Sequence, residues 1–483
     1  MQKGGKETMT KFKNQYRYLA QMTLEATTPL QIGSGRKGIK TDSLVVRDVN
    51  DLPFIPGTTL AGLIAHALGS EKECLMGSQQ EGSRLIVTEA KLLDKYGKAI
   101  DGLVDFTQLN SDNKAFLKHY EQLPIRQHVR ICHKGTAENT GKFDEEVVMK
   151  GSRFCFEMEL IASKDESKAF DKLLLLIQSP TFRIGSGSRS GFGQVKVVKC
   201  RCRTIDLEKE DERNLYLSKS SKLGADWEGW QDADDKIKEQ DTCDGWTAYK
   251  LVLRPEDFVL FGSGFGDPMG EADMTYVRET YITWKDDGSL ATEANLDKVV
   301  LIPGSSVKGA ISHRTAFYYN KKKEIFAERL TPDEAKQVVG KYNDAVKAIF
   351  GSEGERNPET KKMENKQRGK ILISDVIEVR EQALPKILNH VSINRFTGGA
   401  IDGALFNEQT LYASAKGEQF EIDLMVANEA IADDDICSAF EEAVKDVAIG
   451  MLPLGGGVNR GNGLFVGEAK KYNKENKQWE ELK

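Results

Sequence analysis

The sequence predicts an α+β protein of two tandem βαββαβ domains, and three observations predict it. A series of short motifs occurs twice in unchanged order. Each series reads as strand, Pro-Gly turn, helix, strand, long excursion, strand, helix, Gly-rich loop, strand. An acidic stretch separates the two copies. A length of 483 residues is too great for one ordinary core, and 39% hydrophobic with 29% charged residues marks a globular chain. The element order fits a ferredoxin-like, RRM-like sheet with helices on one face, and related sheets bind single-stranded RNA on the other.

Each copy opens with a strand that closes on a Gly-Ser-Gly loop, Leu30-Gln-Ile-Gly-Ser-Gly35 and Val259-Leu-Phe-Gly-Ser-Gly264. The Pro-Gly turns follow, Phe54-Ile-Pro-Gly-Thr-Thr-Leu-Ala-Gly62 and Leu301-Ile-Pro-Gly-Ser-Ser-Val-Lys-Gly309. A helix should start at each, capped by Thr58 or Ser305. Leu75-Met-Gly-Ser78 and Ile349-Phe-Gly-Ser352 come next, then the strands Arg84-Leu-Ile-Val-Thr88 and Lys370-Ile-Leu-Ile-Ser374. His128-Val-Arg-Ile131 and His390-Val-Ser-Ile393 mark the excursions. The last loops are Ile184-Gly-Ser-Gly-Ser-Arg-Ser-Gly-Phe-Gly193 and Leu454-Gly-Gly-Gly-Val-Asn-Arg-Gly-Asn-Gly463. The offset between partners drifts from 229 to 247 to 270, as insertions into the loops of a repeated framework produce. The partition is a tail at 1–13, a first domain at 14–205, an acidic connector at 206–245, a second domain at 246–473 and a tail at 474–483.

Composition excludes several classes. The net charge of −6 is unusual for a nucleic-acid binder. Residues 206–245 alone hold 13 Asp and Glu against 6 Lys and Arg, a local −7 that leaves the rest of the chain at +1. A neutral body can carry basic grooves. No apolar run approaches the roughly 18 residues of a membrane span. The N-terminal stretch with Lys3, Lys6, Lys11 and Lys13 lacks the apolar core of a signal peptide, so a cytoplasmic protein without membrane partners is expected. Seven cysteines without a CxxC pair argue against a disulfide framework and a structural zinc; Cys200 and Cys202 should share one face of a strand.

The Gly-rich loops are candidate phosphate cradles. Gly185, Gly187, Gly191 and Gly193, with Gly455, Gly457, Gly461 and Gly463, surround Arg189 and Arg460. Glycine permits close backbone approach, so N–H groups can face a phosphate while Arg adds charge-assisted hydrogen bonds. One such loop alone would read as a mobile turn. A strand follows each loop, which excludes a dinucleotide fingerprint, and Gly-Lys-Ser/Thr is absent, which excludes a P-loop. Lys308 and Arg314 flank the second helix start and are candidate phosphate grips; the first copy has Ala61 and Ala67 there. His66 and His313 occupy matching helical positions, where a structural role is the commoner one.

Thr41-Asp42-Ser-Leu-Val-Val-Arg47-Asp48 and Ala272-Asp273-Met-Thr-Tyr-Val-Arg278-Glu279 share the form Asp, four residues, Arg, acid. A loop carboxylate can take the proton from a 2′-OH or hold a hydrated Mg²⁺ that does so; it can equally be a turn carboxylate satisfied by backbone N–H groups. Asp267 is a rival in the second copy.

Taken together, the Ile-Gly-Ser-Gly strand end, the Asp42–Asp48 segment, the Pro-Gly turns, the Gly-Ser-Arg-Ser-Gly-Phe-Gly loop and His390-Val-Ser-Ile-Asn-Arg-Phe-Thr-Gly-Gly-Ala-Ile-Asp-Gly-Ala-Leu-Phe406 resemble the RAMP superfamily. Within it they are similar to the backbone subunit of CRISPR type III effector complexes, in a fused pair like those of III-D variant systems. The resemblance covers nearly everything except the tails, the connector and insertions near 281–296 and 318–347. It implies a ribonucleoprotein filament along guide RNA (crRNA) acting in antiviral defence, with other backbone subunits and the large signature subunit as partners. It implies thumb hairpins around Arg126–Asp144 and His390–Phe406 that displace a guide–target base pair, with Arg126, Arg130, Arg395 and Phe396 meeting RNA. It also implies metal-dependent cleavage of target RNA, with Mg²⁺ or Mn²⁺, by Asp42 and, from a loop two residues longer, by Asp273. The alternatives are a non-catalytic guide-binding module and a guide-processing endonuclease relying on His66 and His313.

Overall fold

In the computed structural model of the chain, residues 14–38, 41–238, 240, 242–266, 270–294, 299–356, 363–380, 383–412 and 419–482 are described. The first copy contains β1 (Tyr16–Ala26), α1 (Gly57–Leu68), β2 (Ala90–Leu92), a hairpin of β3 (Ile125–Ile131) and β4 (Ala137–Glu146), β5 (Arg153–Ala162), α2 (Ser167–Ile177) and β6 (Val195–Asp206). The second contains β7 (Trp246–Pro255), a small hairpin of β8 (Ile282–Trp284) and β9 (Ala291–Glu293), α3 (Gly304–Lys322), β10 (Ile371–Ile373), a long hairpin of β11 (Leu384–Ile393) and β12 (Ala400–Tyr412), β13 (Phe420–Ala427), α4 (Asp434–Ala448) and β14 (Phe465–Asn473).

The two principal sheets have one topology. Their orders are β2-β5-β1-β6 and β10-β13-β7-β14, antiparallel throughout. Each is therefore strand, helix, strand, strand, helix, strand in sequence, with the first and third strands central. The helices form because their apolar residues recur at helical spacing, Phe170, Leu173, Leu174 and Ile177 in α2 and Phe440, Ala443, Val444 and Val447 in α4. Those stripes bury against one face of each sheet, with Tyr18, Ala20, Met22 and Leu24 in the first core and Tyr249, Leu251 and Leu253 in the second. Asp433 caps α4, its carboxylate accepting the Asp435 and Ile436 N–H groups.

Three expectations need correcting. Thr58 and Ser305 do not cap α1 and α3: the helices begin at the glycine of each Pro-Gly turn without a cap from their own side chains. At Gly304 the N–H is instead taken by Asp375 Oδ1 at 2.7 Å, a carboxylate from beyond β10. Secondly, the acidic connector belongs to the first copy. Leu215, Tyr216, Trp227 and Trp230 pack on Leu19, Ile205 and Leu207, and Lys219 and Tyr216 bond Glu157 and Glu159. That covers the face of the first sheet expected to be open for RNA. Thirdly, the C-terminal stretch is not a tail, since Gln478–Glu481 pairs with β14 and sets Trp479 against Tyr472.

The copies are joined by more than the chain. The β8–β9 hairpin of the second copy packs into the first: Ile282 and Ala291 lie in the first core, Trp284 Nε1 donates to Gly151 O at 2.7 Å, and His119 Nε2 lies 2.8 Å from Glu293. At the centre of the joint Arg126 from β3 reaches Glu279 and Asp375. Its Nε donates to Glu279 Oε2 at 3.1 Å and its Nη1 to Asp375 Oδ2 at 2.9 Å, with the three residues only 3%, 3% and 5% exposed. Burial opposes the Arg126 charge, but the two carboxylates outweigh it and hold the guanidinium above its ordinary pKa. Burial pushes the Glu279 carboxyl up, against the pull of Arg126.

Gly191 closes this joint from the first copy's Gly-rich loop, its O accepting the Asp375 N–H at 3.0 Å. Its φ is 121°, and a Cβ there would sit 1.7 Å from Asp375 Oδ1. Gly191→Ala is expected to destabilise the chain by about 1–3 kcal/mol. Urea denaturation checks this, and a transition unchanged from wild type would contradict a close-packed joint.

Candidate nucleic-acid interface

The two loop aspartates occupy the same place in each copy. Asp42 and Asp273 are both exposed at the root of a long hairpin, β3–β4 or β11–β12. The Asp42 N–H donates to Asp144 Oδ1 at 2.8 Å, and the Asp144 N–H returns to Asp42 Oδ2 at 3.3 Å. In the second copy the Asp273 N–H donates to Asn407 Oδ1 at 2.7 Å, and the Asn407 N–H returns to Asp273 Oδ2 at 2.9 Å. One oxygen of each loop carboxylate is thus tied to the hairpin. Lys37 Nζ lies 3.9 Å from the other oxygen of Asp42. Asp267 lies outside the described residues.

Two further pairs repeat beside each clasp. Arg47 Nη2 donates to Glu146 Oε1 at 3.0 Å, and Arg278 Nη2 to Gln409 Oε1 at 2.7 Å. His128 stacks on Phe143 at 4.8 Å and lies 3.2 Å from Glu145, while His390 stacks on Phe406 at 4.9 Å and lies 3.2 Å from Glu408. Sequence reasoning missed these partners, although they form a motif: Phe143-Asp-Glu-Glu146 against Phe406-Asn-Glu-Gln409. Two of the four residues are identical, and the pattern of aromatic, Asx, Glu, Glx is kept.

The expected RNA contacts are divided by the structure. Arg126 is corrected from an RNA contact to the buried ion pair of the joint, because two carboxylates of the second copy enclose it. Arg314 is not free at the helix start, since its Nε lies 3.2 Å from Asp446 and its Nη2 donates to Met451 O at 2.6 Å. Arg130 donates to Glu353 Oε2 at 2.8 Å, and Arg460 pairs with Glu408. Arg395 and Phe396 stand exposed at the tip of the second hairpin, Phe396 by 88%. His66 approaches Arg368 at 3.4 Å and His313 approaches Ile131 O at 3.3 Å, and the two are not gathered into one cluster.

The Gly-rich loops are packed rather than open cradles over much of their length. The N–H groups of Ser186 and Gly456 donate to Gln31 O and Leu260 O at 2.7 and 2.6 Å. Gly185 and Gly455 take positive φ against those same carbonyls, where a Cβ would meet the oxygen at 2.1 or 2.6 Å. Gly187 is likewise close to the Phe192 ring, and Gly457 to Asn462. Gly461 is the exception, with no described atom within 4 Å of a Cβ built on it.

A small group of cations at the joint has no carboxylate among its described contacts. Arg189 Nε donates to Gly369 O, and burial followed by the Arg368 charge lowers its pKa to about 10. Lys308, half-buried on α3, is also pushed down, by burial and then by the charge of Arg189. Three cations from two copies thus face one another with no carboxylate among the described contacts, a field suited to phosphate. Among the described residues no group of three or more His, Cys, Asp or Glu is gathered for a metal, and no helix is long and apolar enough to cross a membrane. Cys200 and Cys202 share a strand face, with sulfurs 3.6 Å apart.

A sheet pair with duplicated hairpins, loop aspartates and basic joint is a tandem repeat of one domain type. The RAMP superfamily model matches residues 23–196 and again 292–466, and the chain belongs to that superfamily. No individual curated protein matches it.

The clasp predicts a local effect. Asp144→Ala removes the acceptor of the Asp42 N–H and should speed amide exchange at Asp42 by about tenfold, the equivalent of one net hydrogen bond. Asp144→Asn should leave it near wild type, as Asn407 does in the second copy. Hydrogen exchange read by mass spectrometry distinguishes the two, and equal exchange in Asp144→Ala would remove the clasp from the account.

Proposed function

We propose that the chain is a guide-RNA-binding backbone subunit of a CRISPR type III effector complex, two fused ferredoxin-like RAMP domains with thumbs, and that Asp42 and Asp273 cleave complementary target RNA. The observation that carries this reading is the duplicated exposed aspartate clasped to the root of a projecting hairpin. A hairpin pushed between guide and target would displace a nucleotide, free it from A-form geometry and let its 2′-oxygen align behind the phosphorus. The aspartate at the hairpin root then stands where a proton must leave that 2′-OH.

Mg²⁺ or Mn²⁺ fits such a site as a largely hydrated ion, because one loop carboxylate is available and water and RNA oxygens would complete the shell. The ion supplies charge neutralisation at the phosphate and a lower pKa for bound water. Asp144 adds a second carboxylate beside Asp42 where the second copy has neutral Asn407. Guide phosphates would lie at Arg189, Lys308 and Arg368, and base pairing would read sequence. Other backbone subunits and the large signature subunit complete the complex. A second reading, a non-catalytic guide-binding module, is favoured by the same clasp, since a carboxylate oxygen bonded to a backbone N–H can be structural.

Two experiments separate these readings. With the assembled complex and a complementary RNA, Asp42→Ala should remove one set of products and Asp273→Ala another, each by two orders of magnitude or more; an intact product ladder in both variants leaves the module reading. Arg189→Ala and Lys308→Ala should each weaken guide binding. Each should also reduce the slope of log K against log salt by about 0.7, the contribution of one single-strand phosphate contact. Filter binding over a salt series measures this.

A further inference from the structure

The two copies answer the same structural question in different ways at the joint. In the second copy the acid pair Glu279 and Asp375 is neutralised from outside by Arg126 of the first. The corresponding pair in the first copy is Asp48 and Glu89, two residues that follow the same motifs. There the cation comes from within: Lys91 Nζ lies 2.7 Å from Glu89 and 3.7 Å from Asp48, buried, over the Phe54 ring at 5.0 Å. Strand register fixes the equivalence, since Lys91 pairs opposite Phe54 and Ile377 opposite Leu301, the matching residues of the two Pro-Gly turns. The second copy thus has Ile377 where the first has its internal lysine, and its acid pair is left for an external arginine.

The hairpins differ in the complementary sense. Arg126 lies opposite Glu145 in the first hairpin, and Leu388 lies opposite Glu408 in the second. Leu388 therefore occupies the position of the arginine. The matching apolar residues Ile125 and Ile387, Val129 and Val391, and Ile131 and Ile393 are exposed in both hairpins, so the difference lies at Leu388, and no described atom lies within 4 Å of a Cβ built on Gly461, where Gly191 of the first copy docks.

We propose that Arg126 and the Glu279/Asp375 pair are a plug and socket that specify the order of the copies, and that the chain is closed to extension by itself. Lys91 fills the socket of the first copy, and Leu388 removes the plug from the second. A second copy of this chain would bring Leu388 rather than an arginine against a socket already neutralised, gaining no buried ion pair. The surface formed by the second hairpin and the Gly455–Gly463 loop takes a RAMP-type domain of another chain, one whose socket is apolar. The covered face of the first copy is the precedent for that occupant: its hairpin and Gly-rich loop are seated on a domain of this kind. Heterologous interfaces between identical chains build rings or open filaments unless their two ends fail to match, and here the ends differ in charge. This inference does not depend on RNA cleavage.

Mixing two single variants tests it. Leu388→Arg supplies a plug and leaves the filled socket; Lys91→Ile empties the socket and leaves Leu388 in the hairpin. By mass photometry of the full chain without RNA, wild type and each variant alone should be monomeric, and the mixture should give a dimer and nothing longer. A wild-type chain that self-associates, or a mixture of folded variants that stays monomeric, overturns the proposal. Should Lys91→Ile fail to fold, Arg126→Leu takes its place, giving the first hairpin the residue of the second. Small-angle scattering should then show an expanded chain with the copies undocked, and Arg126→Leu chains as compact as wild type would overturn the plug.

Discussion

Much of this molecule depends on one buried guanidinium. Arg126 enters the second copy between two carboxylates, and removing either side would leave charge inside the protein without a partner, at a penalty of about 3–5 kcal/mol. Such a cluster contributes less to net stability than an apolar joint of the same volume could. What it contributes is register, because a guanidinium with directed N–H groups satisfies two carboxylates in one geometry only. Asp375 extends the constraint, since its other oxygen receives the first N–H of α3 and its backbone bonds Gly191. One residue thereby fixes the helix start, the Gly-rich loop and the hairpin of the preceding copy.

That fixed joint bears on the candidate sites. The first hairpin runs beside the Gly-Ser-Gly loop of the second copy, where Gln127 approaches Gly264 and Lys142 lies over the Phe265 ring at 5.7 Å. Asp273 is thus carried on a loop braced by the neighbouring copy, whereas the brace on Asp42 within this chain is its own hairpin. The two sites share a local design and differ in surroundings, with a charged Asp144 at one and a neutral Asn407 at the other. Divergence after duplication has altered charge while keeping hydrogen bonds, since Asp to Asn and Glu to Gln retain the acceptor that each clasp requires.

The duplication, the strand and helix order and the placement of Asp42 and Asp273 were legible because they rest on local patterns: motif order, apolar spacing and Pro-Gly turns. The roles of the arginines were not. Arg126 reads as an exposed hairpin cation in any local window, and only the tertiary approach of Glu279 and Asp375, far along the chain, makes it a buried one. The packing of the connector is hidden from a local reading for a related reason. Its acidic majority hides Leu215, Trp227 and Trp230, which suffice to hold it to the first sheet. Arg314 reads as free because Asp446, its partner, comes from α4 rather than from its own helix.

The Gly-rich loops carry the broadest lesson. Their alternating glycines satisfy two demands with one composition: close backbone crossing at Gly185 and Gly455, and close approach by a neighbour at Gly191. A sequence cannot separate a glycine kept for a phosphate from one kept for a carboxylate oxygen, since both need the Cβ to be absent. In this chain the loop of the first copy received Asp375 and left Arg189 at the edge of the joint, beside Lys308. A loop type able to hold anions has been occupied by a protein carboxylate in one place, with its arginine displaced toward the cations of the next copy. The basic group therefore exists only because the copies are docked, so the same contact that orders the domains also assembles the field in which a phosphate chain would lie.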